Sequence, residues 1–61
     1  RLVLREKKWE VESGITVREA ILKVGLKLYA VFPMRDGEII DKETILHDED
    51  EIKLIPVALG G

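Results

Sequence analysis

The chain has 61 residues, ten Lys+Arg against twelve Asp+Glu for a net charge of −2, and no cysteine. A chain this short forms a single domain that buries only about 60% of its unfolded surface, and without disulfides its apolar core must stabilise it unaided. The charge balance excludes the basic footprint of a nucleic-acid binder, and a lone His47 without cysteine excludes a Cys/His zinc site.

In chain order, Leu2-Val3-Leu4 is a short apolar strand that breaks at the charged run Arg5-Glu6-Lys7-Lys8. Trp9 and Val11 then alternate with Lys8, Glu10 and Glu12, the period-two pattern of a half-buried strand, so the two segments read as a hairpin closed off by Ser13-Gly14. Thr16-Val17-Arg18-Glu19 carries a capping box, with Ile15 ahead of it as a hydrophobic staple, and opens a helix. Val17, Ala20, Ile21 and Val24 are spaced to form one buried stripe, while Arg18, Glu19 and Lys23 face water. Gly25 sits where a left-handed residue stops the helix. Two turns of helix do not survive alone, so this one needs a sheet beneath it.

Leu28 to Phe32 is β-prone and reads as a strand under the helix, with Phe32 assigned to the core. Asp36-Gly37 is a hairpin turn, and Glu38-Ile39-Ile40 is the returning strand. Asp41 to His47 is irregular with a helical turn, and Ile45 and Leu46 are expected to plug one end of the core. Asp48-Glu49-Asp50 turns the chain into a last strand, Glu51 to Ile55, with Ile52 and Leu54 on one face and Lys53 and Ile55 on the other. Pro56 has no N–H for a ladder, so regular pairing is expected to weaken there.

The order β-β-α-β-β-β, with the first and last strands parallel through a right-handed crossover, gives an α+β fold. Its mixed sheet has four to five strands and one helix packed across it, the β-grasp arrangement. Residues 1–55 make the domain, and residues 56–61 make a flexible tail that reaches about 20 Å when extended. The predicted core is Leu2, Leu4, Trp9, Val11, Val17, Ala20, Ile21, Val24, Val31, Ile52 and Leu54.

The chain ends on Gly60-Gly61. A terminal diglycine leaves its carboxylate unshielded and its backbone free to lie extended in a narrow channel. These features suit a protein whose own C-terminus is the reacting group. An apolar approach of Val57, Ala58 and Leu59 precedes it, and the expectation is that these residues enter a partner. A chain used in this way needs no catalytic side chain of its own; the acid–base and electrostatic work is expected to lie in that partner, and this chain is expected to be no enzyme. Phe32 and Met34 are further candidates for partner anchors if they face outward. Asp48-Glu49-Asp50-Glu51 lacks the spacing and glycine of a calcium loop and reads as a solvated turn, with His47 a surface neighbour. Trp9 reads as core rather than a stacking platform.

In order and length the chain resembles the ThiS/MoaD group of ubiquitin-like sulfur carriers. The resemblance runs through Thr16-Val17-Arg18-Glu19-Ala20, Gly25-Leu26, Asp36-Gly37-Glu38, Asp50-Glu51-Ile52-Lys53-Leu54-Ile55-Pro56-Val57 and Gly60-Gly61. It implies that an ATP-dependent enzyme of the ubiquitin-activating type adenylates Gly61. Sulfur transfer then makes a C-terminal thiocarboxylate, and a synthase passes the sulfur to the thiamin thiazole, molybdopterin or tRNA. Some archaeal relatives are joined to lysines as ubiquitin is, and a non-covalent β-grasp interaction module is the remaining alternative. The charged Arg35-Asp36-Gly37 turn departs from the neutral hairpin of many ThiS-like chains, and MoaD-like chains are longer, so all three acceptors stay open.

No run reaches the roughly 18 to 20 apolar residues of a membrane helix, and no signal pattern opens the chain. The expectation is a cytoplasmic monomer without cofactor, metal, membrane or direct nucleic-acid contact. Asn and Gln are also absent while 36% of residues are charged, a composition that points to a thermophilic prokaryote. The chain opens on Arg1 rather than methionine, which leaves room for residues ahead of it.

Overall fold

The computed structural model describes residues 1–57. Strand β1 (Leu2–Leu4) turns through Arg5-Glu6 into β2 (Lys7–Trp9), and the helix α1 spans Val17–Lys23. A 3₁₀ turn (Leu28–Ala30) leads into β3 (Val31–Arg35), followed by β4 (Glu38–Ile39) and β5 (Ile52–Pro56). The five strands form one sheet in the order β2-β1-β5-β3-β4. β1 runs parallel to β5, and the other neighbours are antiparallel. With α1 packed on one face this is the β-grasp fold.

The helix forms where its backbone donors find partners. The Thr16 hydroxyl accepts from the Glu19 amide at 3.1 Å, and the Glu19 carboxylate accepts from the Thr16 amide at 3.2 Å. Two further first-turn amides, Val17 and Arg18, donate to the carbonyls of Thr44 and Lys42 at 2.9 and 2.8 Å. The segment 42–46 is thus a strap that caps the helix from outside, because N-terminal helix amides have no partner within the helix. At the other end, Gly25 at φ 85° and Leu26 donate back to Leu22 and Ile21. That pair of bonds is the Schellman closure, which needs a left-handed residue at this place.

The buried core is Leu2, Val17, Ala20, Ile21, Val31, Leu46, Ile52 and Leu54, with Leu4, Trp9, Val11 and Val24 half-buried against it. Several sequence expectations need correction. β2 begins at Lys7 and ends at Trp9, because a two-residue turn suffices and leaves Val11 to pack outside the strand. Leu28–Ala30 forms a 3₁₀ turn rather than the start of a strand. That shifts β3 to Val31–Arg35 and sets its alternation: Val31 and Pro33 point into the core, and Phe32 stands 47% exposed on the other face. Of the two expected plugs, Leu46 is buried, but Ile45 is 45% exposed, since alternation along the strap can turn only one of them inward. Asp36 and Gly37 both take positive φ, 52° and 83°, as a two-residue hairpin turn requires.

Ile21 is fully buried beneath the sheet. Ile21→Ala is expected to destabilise the domain by about 2 to 5 kcal/mol, read by chemical denaturation. A variant as stable as the parent would show that the helix stripe does not carry the core.

Candidate functional site

The expected functional residues lie at and beyond the end of β5. Val57 follows the strand and is half-buried, and its amide donates to the Ala30 carbonyl at 2.9 Å. The expectations placed on Ala58, Leu59, Gly60 and Gly61 fall outside the described residues. Pairing therefore continues past residue 55, where the sequence reading starts the tail.

The reason lies in how Pro56 is placed. Along a strand, successive N–H groups point to alternate neighbours. The Ile52 amide donates to Arg1 on the β1 side at 2.8 Å, and the Val57 amide to Ala30 on the β3 side. Pro56 shares the parity of Ile52, so the donor it lacks would point toward β1. There the chain has already turned away through Arg5-Glu6. Proline thus ends only the parallel ladder, while the antiparallel ladder with β3 carries on to Val57. Pro33 uses the same rule: the donor it lacks faces the two-residue β4, and its carbonyl still accepts from Ile40 at 3.0 Å.

The face of the sheet away from α1 is open. On it Phe32 stands opposite Ile55, and Met34 is flanked by Lys53 and Ile39. Phe32 and Ile39 are exposed, at 47% and 66%, and Met34 and Ile55 are half-buried. These residues form an apolar surface that leads to Val57. The sequence reading named Phe32 and Met34 as conditional anchors; it missed Ile39, whose side follows from the Met34 register and not from its own neighbours in sequence.

The acidic turn has a structural part to play. One Asp50 carboxylate oxygen accepts from the His47 amide at 2.9 Å and from the Arg35 guanidinium at 3.2 Å. The His47 amide, with Arg35 beside it, holds the Asp50 carboxyl below the usual carboxylate range, against the opposing effect of burial. This fixes the turn that delivers the chain into β5 and ties it to the end of β3. His47 itself is exposed, and Trp9 stands opposite Leu2 on the core side. Among the described residues no three His, Asp or Glu side chains converge as metal ligands would. No helix among them is long and apolar enough to cross a membrane.

A family model described as the ThiS family matches residues 1–61. The chain belongs to the ThiS family. Members of the ThiS family are small ubiquitin-like sulfur carriers rather than enzymes. No individual curated protein matches the chain.

Because Asp50 is held below its unfolded value, its contacts stabilise the fold above the ordinary carboxylate range and are lost as pH falls through the lower, folded value. Asp50→Asn should therefore lower the melting temperature at neutral pH, and its difference from the parent should shrink at acid pH, below the ordinary carboxylate range. An equal deficit at both pH values would assign the loss to shape and not to charge.

Proposed function

We propose that this ThiS-family chain is a protein cosubstrate whose reagent is the Gly61 carboxylate. The observation that carries the reading is the family match through residue 61 together with the Gly60-Gly61 end. In the activation step a Gly61 carboxylate oxygen attacks the α-phosphorus of ATP and pyrophosphate leaves, giving an acyl adenylate. A hydrosulfide-level sulfur nucleophile, delivered by a sulfur transferase, then attacks the carbonyl carbon. AMP departs with the electron pair of the broken C–O bond, and the C-terminus becomes a thiocarboxylate. The absence of a Cβ at positions 60 and 61 removes steric obstruction from both attacks.

The adenylating enzyme supplies the electrostatics of both steps, and the carrier supplies delivery. Phe32, Met34, Ile39 and Ile55 are the docking surface, and Val57, Ala58 and Leu59 lead the diglycine into the enzyme's channel. Charge density on this chain is too low for direct binding to RNA, so any sulfur bound for tRNA passes through a synthase. Thiamin thiazole, molybdopterin and tRNA are the acceptors this reading admits. Intact-mass analysis of the protein from its native host tests it directly, since carboxylate, thiocarboxylate and lysine isopeptide differ in mass.

Removing Gly61 should abolish pyrophosphate exchange catalysed by the adenylating enzyme encoded in the same genome. The melting temperature should not change, because the buried core among the described residues lies between Leu2 and Leu54. Exchange that persisted without Gly61 would end the cosubstrate reading. Gly60→Val tests the channel separately: a β-branched side chain restricts the backbone and crowds the reacting carbon. It should slow exchange while leaving calorimetric affinity nearly intact; normal exchange would remove the need for glycine at position 60.

A further inference from the structure

The register of the sheet can be followed across the strands as well as along them. Lys8 of β2 stands opposite Val3 of β1, and Val3 opposite Lys53 of β5. Lys53 in turn stands opposite Met34 of β3, and Met34 opposite Ile39 of β4. Directly opposed residues share a face. Lys8, Val3, Lys53, Met34 and Ile39 therefore form one row across all five strands on the open face. The pair Phe32 and Ile55 lies beside that row, toward the chain exit at Val57.

These rows contain no carboxylate, although the chain carries twelve Asp+Glu against ten Lys+Arg. The ion pairs among the described residues join Arg1 to Glu10, Arg18 to Glu43, Lys23 to Glu12 and Arg35 to Asp50. Lys8 and Lys53 take part in none of them, and both are exposed. Asp36 and Glu51 share a shallow groove with Lys53, but at the turn end of β3, away from Val57. Neither row holds an acid, and two ammonium groups outside these ion pairs stand among apolar side chains.

This pattern discriminates between occupants. A lysine lays its alkyl stem on apolar neighbours and keeps its charge at the tip, so Lys53 extends the apolar surface while marking it with a charge. A second copy of the same face would bring like charges together, which disfavours self-association. Two lysines on a chain of net charge −2 are too few for binding driven by phosphate. What complements the face is an apolar surface edged with Asp or Glu.

We propose that Lys53 and Lys8 select a carboxylate-edged apolar surface on the adenylating enzyme and orient the carrier on it, so that the exit at Val57 leads toward the enzyme's active site. The inference rests on the activation reading above. Its test is carbodiimide coupling, which joins an ammonium to a carboxylate only where the two touch, applied to the carrier mixed with the adenylating enzyme encoded in the same genome. Peptide mass spectrometry should find Lys8 and Lys53 joined to enzyme Asp or Glu, and Lys23 and Lys27 not joined to the enzyme.

In parallel, Lys53→Glu should slow association with that enzyme by about tenfold or more at low salt, and the gap should close as salt screens the charges. Lys53→Met keeps the bulk of the side chain and should show a smaller loss, and Lys27→Glu should show none. Pyrophosphate exchange at saturating carrier should match the parent in all three variants, so the two Lys53 variants show a KM effect without a kcat effect. An unchanged association rate for Lys53→Glu would overturn the proposal. So would couplings between two carriers, or tRNA retention lost in Lys53→Glu while enzyme association stays normal. Coupling and association report docking whether or not exchange occurs, so a parent that docks without exchange would sink the activation reading and leave this one standing.

Discussion

Parallel pairing of the first strand with the last is the constraint on which the rest of the molecule depends. Leu2 meets Ile52 in register, and the Ile52 amide donates to Arg1. Two parallel neighbours cannot be joined by a tight turn, so the chain between them must include a crossover of the sheet. That requirement places α1 on one face and makes β5 the middle strand of five. A middle strand has neighbours on both edges, so its alternation is fixed twice: Ile52 and Leu54 must enter the core, and Lys53 and Ile55 must face out. The end of the chain consequently leaves from the centre of the sheet and not from a loose edge.

A middle strand would ordinarily reject proline. Pro56 is accepted because β1 is only three residues long and turns away before reaching it. The shortness of the first hairpin and the proline near the end are therefore two sides of one arrangement. A longer β1 would present a carbonyl to a residue with no donor and leave a backbone acceptor unsatisfied. The strap at 42–46 plays a comparable part at the helix. Seven residues are too few to hold a helix by their own bonds, and the carbonyls of Thr44 and Lys42 supply partners from outside.

Features decided by neighbours in sequence were legible from the sequence alone. The Thr16–Glu19 capping box, the Gly25 stop and the Asp36-Gly37 turn depend on a few consecutive residues, and each is present as read. The topology followed because the crossover rules leave few ways to join these elements. Strand parity in the middle of the chain was not legible. Leu28-Tyr29-Ala30-Val31-Phe32 is apolar throughout, so its own pattern gives no phase, and a 3₁₀ turn consumed its first half. Once Val31 and Pro33 point inward, Phe32 must point out, and the apolar face comes into being through that one shift. Ile39 and Ile45 were hidden because the direction of each is set by pairing, Ile39 with Met34 across the hairpin and Ile45 with Thr16 of the helix cap. Asp50 gave no signal either, since its role depends on Arg35 arriving from another strand.

The two sides of the molecule are satisfied in different ways, and this bears on what a carrier of this family must do. On the helix side and around the loops, some charges are matched within the chain: Arg18 with Glu43 and Lys23 with Glu12. Exposed pairs of this kind contribute little stability. On the open face the sheet's apolar residues are covered by nothing in the described chain, and its lysines are unmatched. A domain of this size has only enough helix to cover one face of its sheet, so the other must be wetted or shared. Sharing it places the partner against the face from which β5 leads the chain outward. A surface left bare by the shortage of chain thereby lies beside the end of β5.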